Sequence, residues 1–205
     1  MNNAMLELRN AKTQIDAYSG NKLSGYAAVF NKLSENLGGF REKIAPGAFA
    51  NTLRRNADVR LLLNHEGLPL ARTKSNTLKL SEDSIGLFFE TELELTDPDV
   101  QRIIPKLKRK DLNQMSFGFC VVSDTWDHSA QPVRTLLECD LFDISIVTYP
   151  AYPQTNVGIR TPAEVYSEYA ASGRASGTAT SVSEIERLRA AAHRERQLQI
   201  WRYMT

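Results

Sequence analysis

Residues 114–120 read Gln114-Met115-Ser116-Phe117-Gly118-Phe119-Cys120, and this run decides the fold. Met115, Phe117, Phe119 and Val121 alternate with Ser116, Gly118, Cys120 and Val122. A period of two sends successive side chains to opposite faces, so the run predicts a buried strand with one bulky face and one small-residue face. Ser116 carries the hydroxyl of the run. With Gly118 two residues on, open space is expected over its Oγ. A rigid element beneath and room above are what a nucleophile needs. Taken alone, the stretch favours a plainer reading: a small residue packed in a barrel interior and bonded to a neighbouring carbonyl.

The runs on either side change that balance. Downstream, residues 123–133 read as a polar connection holding Trp126. Residues 136–147 (LLECDLFDISIV) then form a strongly apolar run that contains Glu138, Asp140, Asp143 and Ser145. A central strand excludes carboxylates unless they are paired. Simple alternation puts Cys139, Leu141, Asp143, Ser145 and Val147 on one face. Asp143 therefore needs a partner, and orienting a histidine is one good use for it. Upstream, residues 59–65 (VRLLLNH) predict a buried strand ending in Asn64-His65-Glu66-Gly67. A histidine there has a fixed backbone and an exposed ring, which suits a general base. A surface-turn histidine is the commoner reading of a lone His. Of the other two histidines, His128 falls in a polar turn and His193 in a charged tail, so His65 is the candidate.

The remaining segments supply a frame. Leu6 and Leu8 alternate with polar residues, and residues 22–30 read as a strand with Gly25 near its start. Residues 36–39 carry turn chemistry, Phe40-Arg41-Glu42 reads as a solvated loop, and residues 48–55 as a short helix with Phe49 and Leu53 one turn apart. Residues 78–80 and 85–95 alternate cleanly around the turn 81–84, which predicts a hairpin with one core face and one acidic, wet face. Thr96-Asp97-Pro98 starts a helix, with Val100, Ile103, Ile104 and Leu107 at helical spacing and Pro105 expected to kink or end it early. Lys106, Lys108, Arg109 and Lys110 read as a solvated helix end.

Composition sets the outer bounds. A chain of 205 residues, 42% hydrophobic, can bury one good core. A net charge of +1 gives no global pull towards nucleic acid. No run of apolar residues is long enough to span a membrane, and the first residues lack the pattern of a secretory signal. Cys120 and Cys139 lie in apolar runs and are expected as buried thiols in a reducing compartment. The histidines and cysteines have no metal-ligand spacing, so neither a metal nor another cofactor is expected. Composition changes after Arg160: residues 170–183 are rich in Ala, Ser, Gly and Thr, and Ser181-x-x-Glu184 is a capping box opening a charged amphipathic segment. The expected organisation is a domain over 1–162, a small-residue linker over 163–183 and a charged amphipathic arm over 184–205 that binds a partner or stays disordered.

The segments GYAAVFN (25–31), EKIAPGAFANTL (42–53), LLLNHEG (61–67), NQMSFGF (113–119) and LFDISIVTYPAYP (141–153) occur in an order that resembles the prohead serine proteases of tailed, lambdoid bacteriophages. The resemblance covers about residues 5–160. That family is similar to the herpesvirus assemblins. The resemblance implies a mainly β fold with surrounding helices, a barrel of about seven mostly antiparallel strands. It implies a serine endopeptidase that works in the host cytoplasm, inside the immature capsid, without cofactor, membrane or specific nucleic acid. Its partners would be the major capsid protein and its scaffolding segment. Analogy with assemblins implies a homodimer. Matched residue by residue, Ser116 is the nucleophile and His65 the base. Assemblins use a second histidine as third member, but none follows Ser116 at a matching position; Asp143 takes the acidic place, with Glu138 and Asp140 as rivals. Backbone amides within 156–160, at Gly158, Ile159 and Arg160, are the oxyanion candidates. The exposed linker suggests that the enzyme also trims its own tail. A catalytically silent scaffold or assembly factor with the same fold is the alternative, and retention of both His65 and Ser116 speaks against it.

Overall fold

The computed structural model describes residues 6–127, 130–148 and 162–172. Its strands are β1 (Glu7–Ser19), β2 (Lys22–Val29), β3 (Arg41–Ile44), β4 (Arg60–Leu63), β5 (Glu66–Arg72), β6 (Leu78–Glu82), β7 (Gly86–Glu92), β8 (Gln114–Trp126) and β9 (Val133–Val147). Its helices are α1 (Ala50–Arg54), α2 (Pro98–Lys108) and α3 (Pro162–Ser172). Strands hold about half of the described residues, which are mainly β with few helices. Their pairing order is β5-β4-β9-β8-β1-β2-β7-β6, with β3 paired to β9 off this path. β3 and β4 run parallel to β9; the other pairs are antiparallel. Among the described residues the path is open, with β5 and β6 at its ends, and no pair closes a barrel.

β8 and β9 form the central hairpin. Met115, Phe117 and Phe119 are fully buried, and so are Ile144 and Ile146 of β9. Each such side chain contributes roughly 1.5–3 kcal/mol of hydrophobic stabilisation. Phe49, which immediately precedes α1, packs edge-on against Phe117 at 5.7 Å between ring centres. The polar connection is shorter than its composition suggests. β8 runs on to Trp126 because residues 123–126 still pair with β9.

β9 has three partners along its second edge. Residues 133–136 pair with β3 and residues 143–146 with β4. Between them α1 takes the place of a strand. The Ala48 carbonyl accepts from the Cys139 amide; Thr52 Oγ1 accepts from the Leu141 amide and donates to the Cys139 carbonyl. Buried backbone groups need such partners, and a helix cannot supply them from its own ladder.

Other elements differ from their sequence reading. β1 is one long strand; Glu7 and Arg9 in it are buried, while Leu8 and the preceding Leu6 are only half-buried. Glu42, expected in a solvated loop, is buried in β3. α2 starts as expected, with Asp97 capping the Asp99 amide and Pro98 following, but runs past Pro105 to Lys108. Only one intrahelical bond is lost at Pro105, while Val100, Ile103 and Leu107 keep the helix seated. Residues 163–172, expected as the start of the linker, lie in α3. Tyr166 stacks on Phe40 and Tyr169 on Trp126. Two tyrosines and the buried Val165 give this segment a docking face that its alanines and serines conceal. The rest of the linker and the arm lie outside the described residues.

Candidate active site

His65 sits at the tip of the β4–β5 hairpin. Leu63 pairs with Glu66, leaving Asn64 and His65 as a two-residue turn. Their φ angles are 53° and 61°, the left-handed values that this tightest hairpin turn requires. Asparagine adopts that region readily; histidine does so less often. The turn is fastened to the end of β9. The Asn64 amide donates to the Ile146 carbonyl, and its side-chain oxygen accepts from the Thr148 amide at 2.9 Å. The His65 amide donates to Ser145 Oγ at 3.1 Å.

Ser116 and Asp143 arrive on adjacent strands. In the β8–β9 register Ser116 faces Ser145 and Gly118 faces Asp143. Cross-strand partners share a face, so these four residues do too. The next pair is Phe119 with Leu141, which leaves Phe142 as an extra residue on β9. This bulge separates Leu141 from Asp143. Leu141 turns to the phenylalanine face and Asp143 to the serine face, which corrects the simple alternation expected for β9. Gly118 also has a different use from the one expected. A Cβ on it would lie 2.3 Å from Asp143 Oδ2 and 3.2 Å from Leu8 Cδ2. The space that glycine leaves is filled by the aspartate's carboxylate, not held open above Ser116.

The three side chains form one chain of hydrogen bonds. His65 Nδ1 lies 2.6 Å from Asp143 Oδ1, and Nε2 lies 2.7 Å from Ser116 Oγ. Ser116 is fully buried, and the side chains of His65 and Asp143 are 11% exposed. Ser116 Oγ also donates to the Arg9 carbonyl, 2.9 Å away on β1. A hydroxyl has one proton, so it serves the carbonyl or the imidazole at any instant. Ser116 is thus packed against a neighbouring carbonyl, as its plainer reading expects, and also lies within hydrogen-bond reach of a histidine. The rival acids are engaged elsewhere. Asp140 pairs with Arg55 at 2.7 Å, and Glu138 accepts from Asn51 of α1.

Two residues of the site were not found from sequence. Ser145 bonds Asp143, and Asn64 clamps the turn. Asn64 had a signal, since asparagine before a turn residue is the usual first position of such hairpins. Gly158, Ile159 and Arg160 lie outside the described residues, as does His128. Cys120 and Cys139 are buried thiols. Burial pushes the Cys139 thiol well above the usual range, reinforced by the nearby Glu42 carboxylate. Among the described residues no three His, Cys, Asp or Glu side chains gather as a metal site, and no helix is long and apolar enough to cross a membrane.

The chain belongs to the caudovirus prohead serine protease family, whose model matches residues 7–168 of the 205. The match takes in every residue of the geometry above. No curated protein and no solved structure matches the chain.

Proposed function

We propose that the chemistry of this prohead protease family is carried here by Ser116, His65 and Asp143. In this reading the chain is an endopeptidase that cuts the scaffolding portion of the capsid protein inside the immature shell. The observation that carries the assignment is the unbroken run from Asp143 Oδ1 through His65 to Ser116 Oγ, at 2.6 and 2.7 Å. The neutral imidazole donates Nδ1–H to Asp143 and presents the Nε2 lone pair to the hydroxyl. The Ser116 proton rotates from the Arg9 carbonyl to Nε2, and Oγ attacks the scissile carbonyl as the proton passes to the ring. Asp143 holds the tautomer and stabilises the imidazolium. His65 then protonates the leaving amine, and water repeats the sequence on the acyl-enzyme.

Co-expression with the capsid protein tests this. Wild-type enzyme should leave capsid protein without its scaffold, whereas Ser116→Ala and His65→Ala should leave it uncut. Normal cleavage by either folded variant would falsify the assignment. The same reading extends to self-trimming within 170–183, where small residues make a ready cleavage site. Wild-type chain recovered from particles should then end in that segment. A wild-type chain still carrying Thr205 in mature particles would end that extension.

A further inference from the structure

We infer that Ser145 is a positioning residue of this site, acting chiefly through Asp143; the inference rests on the triad reading above. Ser145 is fully buried in β9, directly across from Ser116. Its hydroxyl donates to Asp143 Oδ1 at 3.0 Å, the same oxygen that lies 2.6 Å from His65 Nδ1. Its oxygen also accepts the His65 amide at 3.1 Å. One hydroxyl therefore ties the carboxylate to the backbone of the residue that the carboxylate must orient. Each contact does separate work. The donated bond fixes the rotation of the Asp143 carboxylate, which Gly118 leaves room for but does not itself hold. The accepted bond satisfies the amide of a half-buried histidine with φ of 61°, a conformation that persists only where its surroundings hold it. Ser116, Ser145 and Asp143 descend from one strand hairpin and His65 from another. Beside the β4–β9 ladder and the Asn64 bonds, Ser145 is a link between the two frames that reaches the catalytic carboxylate itself without passing through the His65 ring.

Partners that orient metal ligands from behind are worth about 10–100-fold in affinity or activity, and we take the same scale for a hydroxyl that orients a triad carboxylate. The test uses the full-length chain and a fluorophosphonate, which Ser116 Oγ attacks at phosphorus with loss of fluoride as its proton passes to His65. The second-order labelling rate reads the nucleophile directly, without a known cleavage sequence. Ser145→Ala is expected to slow labelling about 10–100-fold, and Ser145→Thr, which keeps the hydroxyl, to recover most of it. Ser145→Cys preserves volume with a much weaker donor and should behave like alanine, so it carries the test if alanine unfolds the chain. The deciding readout is coupling. If Ser145 acts through Asp143, adding Ser145→Ala to Asp143→Asn should slow labelling less than about twofold further. Wild-type rates in both Ser145→Ala and Ser145→Cys overturn the inference. So does a full additive loss in the Asp143→Asn background, which marks a merely structural residue. Equal labelling of wild-type and Ser116→Ala chains overturns the triad reading instead, and Ser145 falls with it.

Discussion

At the residue scale the site depends on what a glycine leaves out. Gly118 faces Asp143 across the β8–β9 ladder, and its missing side chain is where the carboxylate lies. The backbone on either side is strand and cannot yield cheaply. Gly118→Ala should therefore move the carboxylate off His65 and cost about 10²-fold in cleavage, the scale of a one-ångström misplacement. Overpacking should also lower stability by roughly 1–3 kcal/mol, visible in thermal unfolding. Wild-type cleavage by this variant would mean that Asp143 is not held where the structure puts it. Ser116, His65 and Asp143 stood out in the sequence as a hydroxyl, an imidazole and a carboxylate in apolar runs, but it was the family resemblance that joined them into one candidate site, with Glu138 and Asp140 as rival acids. Ser145 and Gly118 could not. Their use is set by which residue faces them on the next strand, and composition carries no register.

At the element scale the decisive feature is the irregular edge of β9. A helix of one short turn-and-a-half stands in for a strand, and Thr52 makes the substitution work through two backbone bonds to Cys139 and Leu141. Thr52 is 1% exposed, so water cannot replace it. Thr52→Val keeps the shape and strands a buried amide and a carbonyl, costing about 1–3 kcal/mol per group left unpaired; Thr52→Ser should lose far less. Chemical denaturation of both variants checks the difference, and equal stability of the valine and serine forms would contradict it. The strands that alternate regularly, β6 and β7, were legible as a hairpin, although Ser81 and Glu82, read as turn, belong to β6 and β7 stops at Glu92 short of Leu95. β9 was legible as a strand but not in its facing. The extra residue at Phe142 leaves no mark in the sequence, because Leu141, Phe142 and Ile144 are all apolar. α3 was hidden for the opposite reason: its small residues read as a linker, while three larger ones dock it.

At the scale of the whole molecule a buried ionic cluster ties the first strand to the last. Arg9 bonds Glu7 and Glu42, and Arg134 bonds Glu7, Glu42 and Asp124. Arg134 is 2% exposed; burial pulls its pKa down, but the carboxylates of Glu7 and Glu42 outweigh that and leave it raised. The guanidiniums of Arg9 and Arg134 also lie over Phe119 and Trp126, 5.6 and 5.8 Å from the ring centres. The cluster fixes β1, whose Arg9 carbonyl touches the Ser116 hydroxyl. Arg134→Met leaves buried carboxylates under-compensated and should cost about 3–5 kcal/mol, read as a lower denaturation midpoint. A variant as stable as wild type would show the cluster to be replaceable. None of this was legible in advance, since residues 7, 42 and 134 are far apart in sequence and each is ordinary surface chemistry alone. The central claim remains the nucleophile, and the most direct measurement is peptide mapping of the chain after reaction with a fluorophosphonate. The account predicts an adduct on Ser116 in the wild-type protein and its loss in the folded His65→Ala variant; an adduct on any other residue, or one on Ser116 that forms equally well without His65, would contradict it.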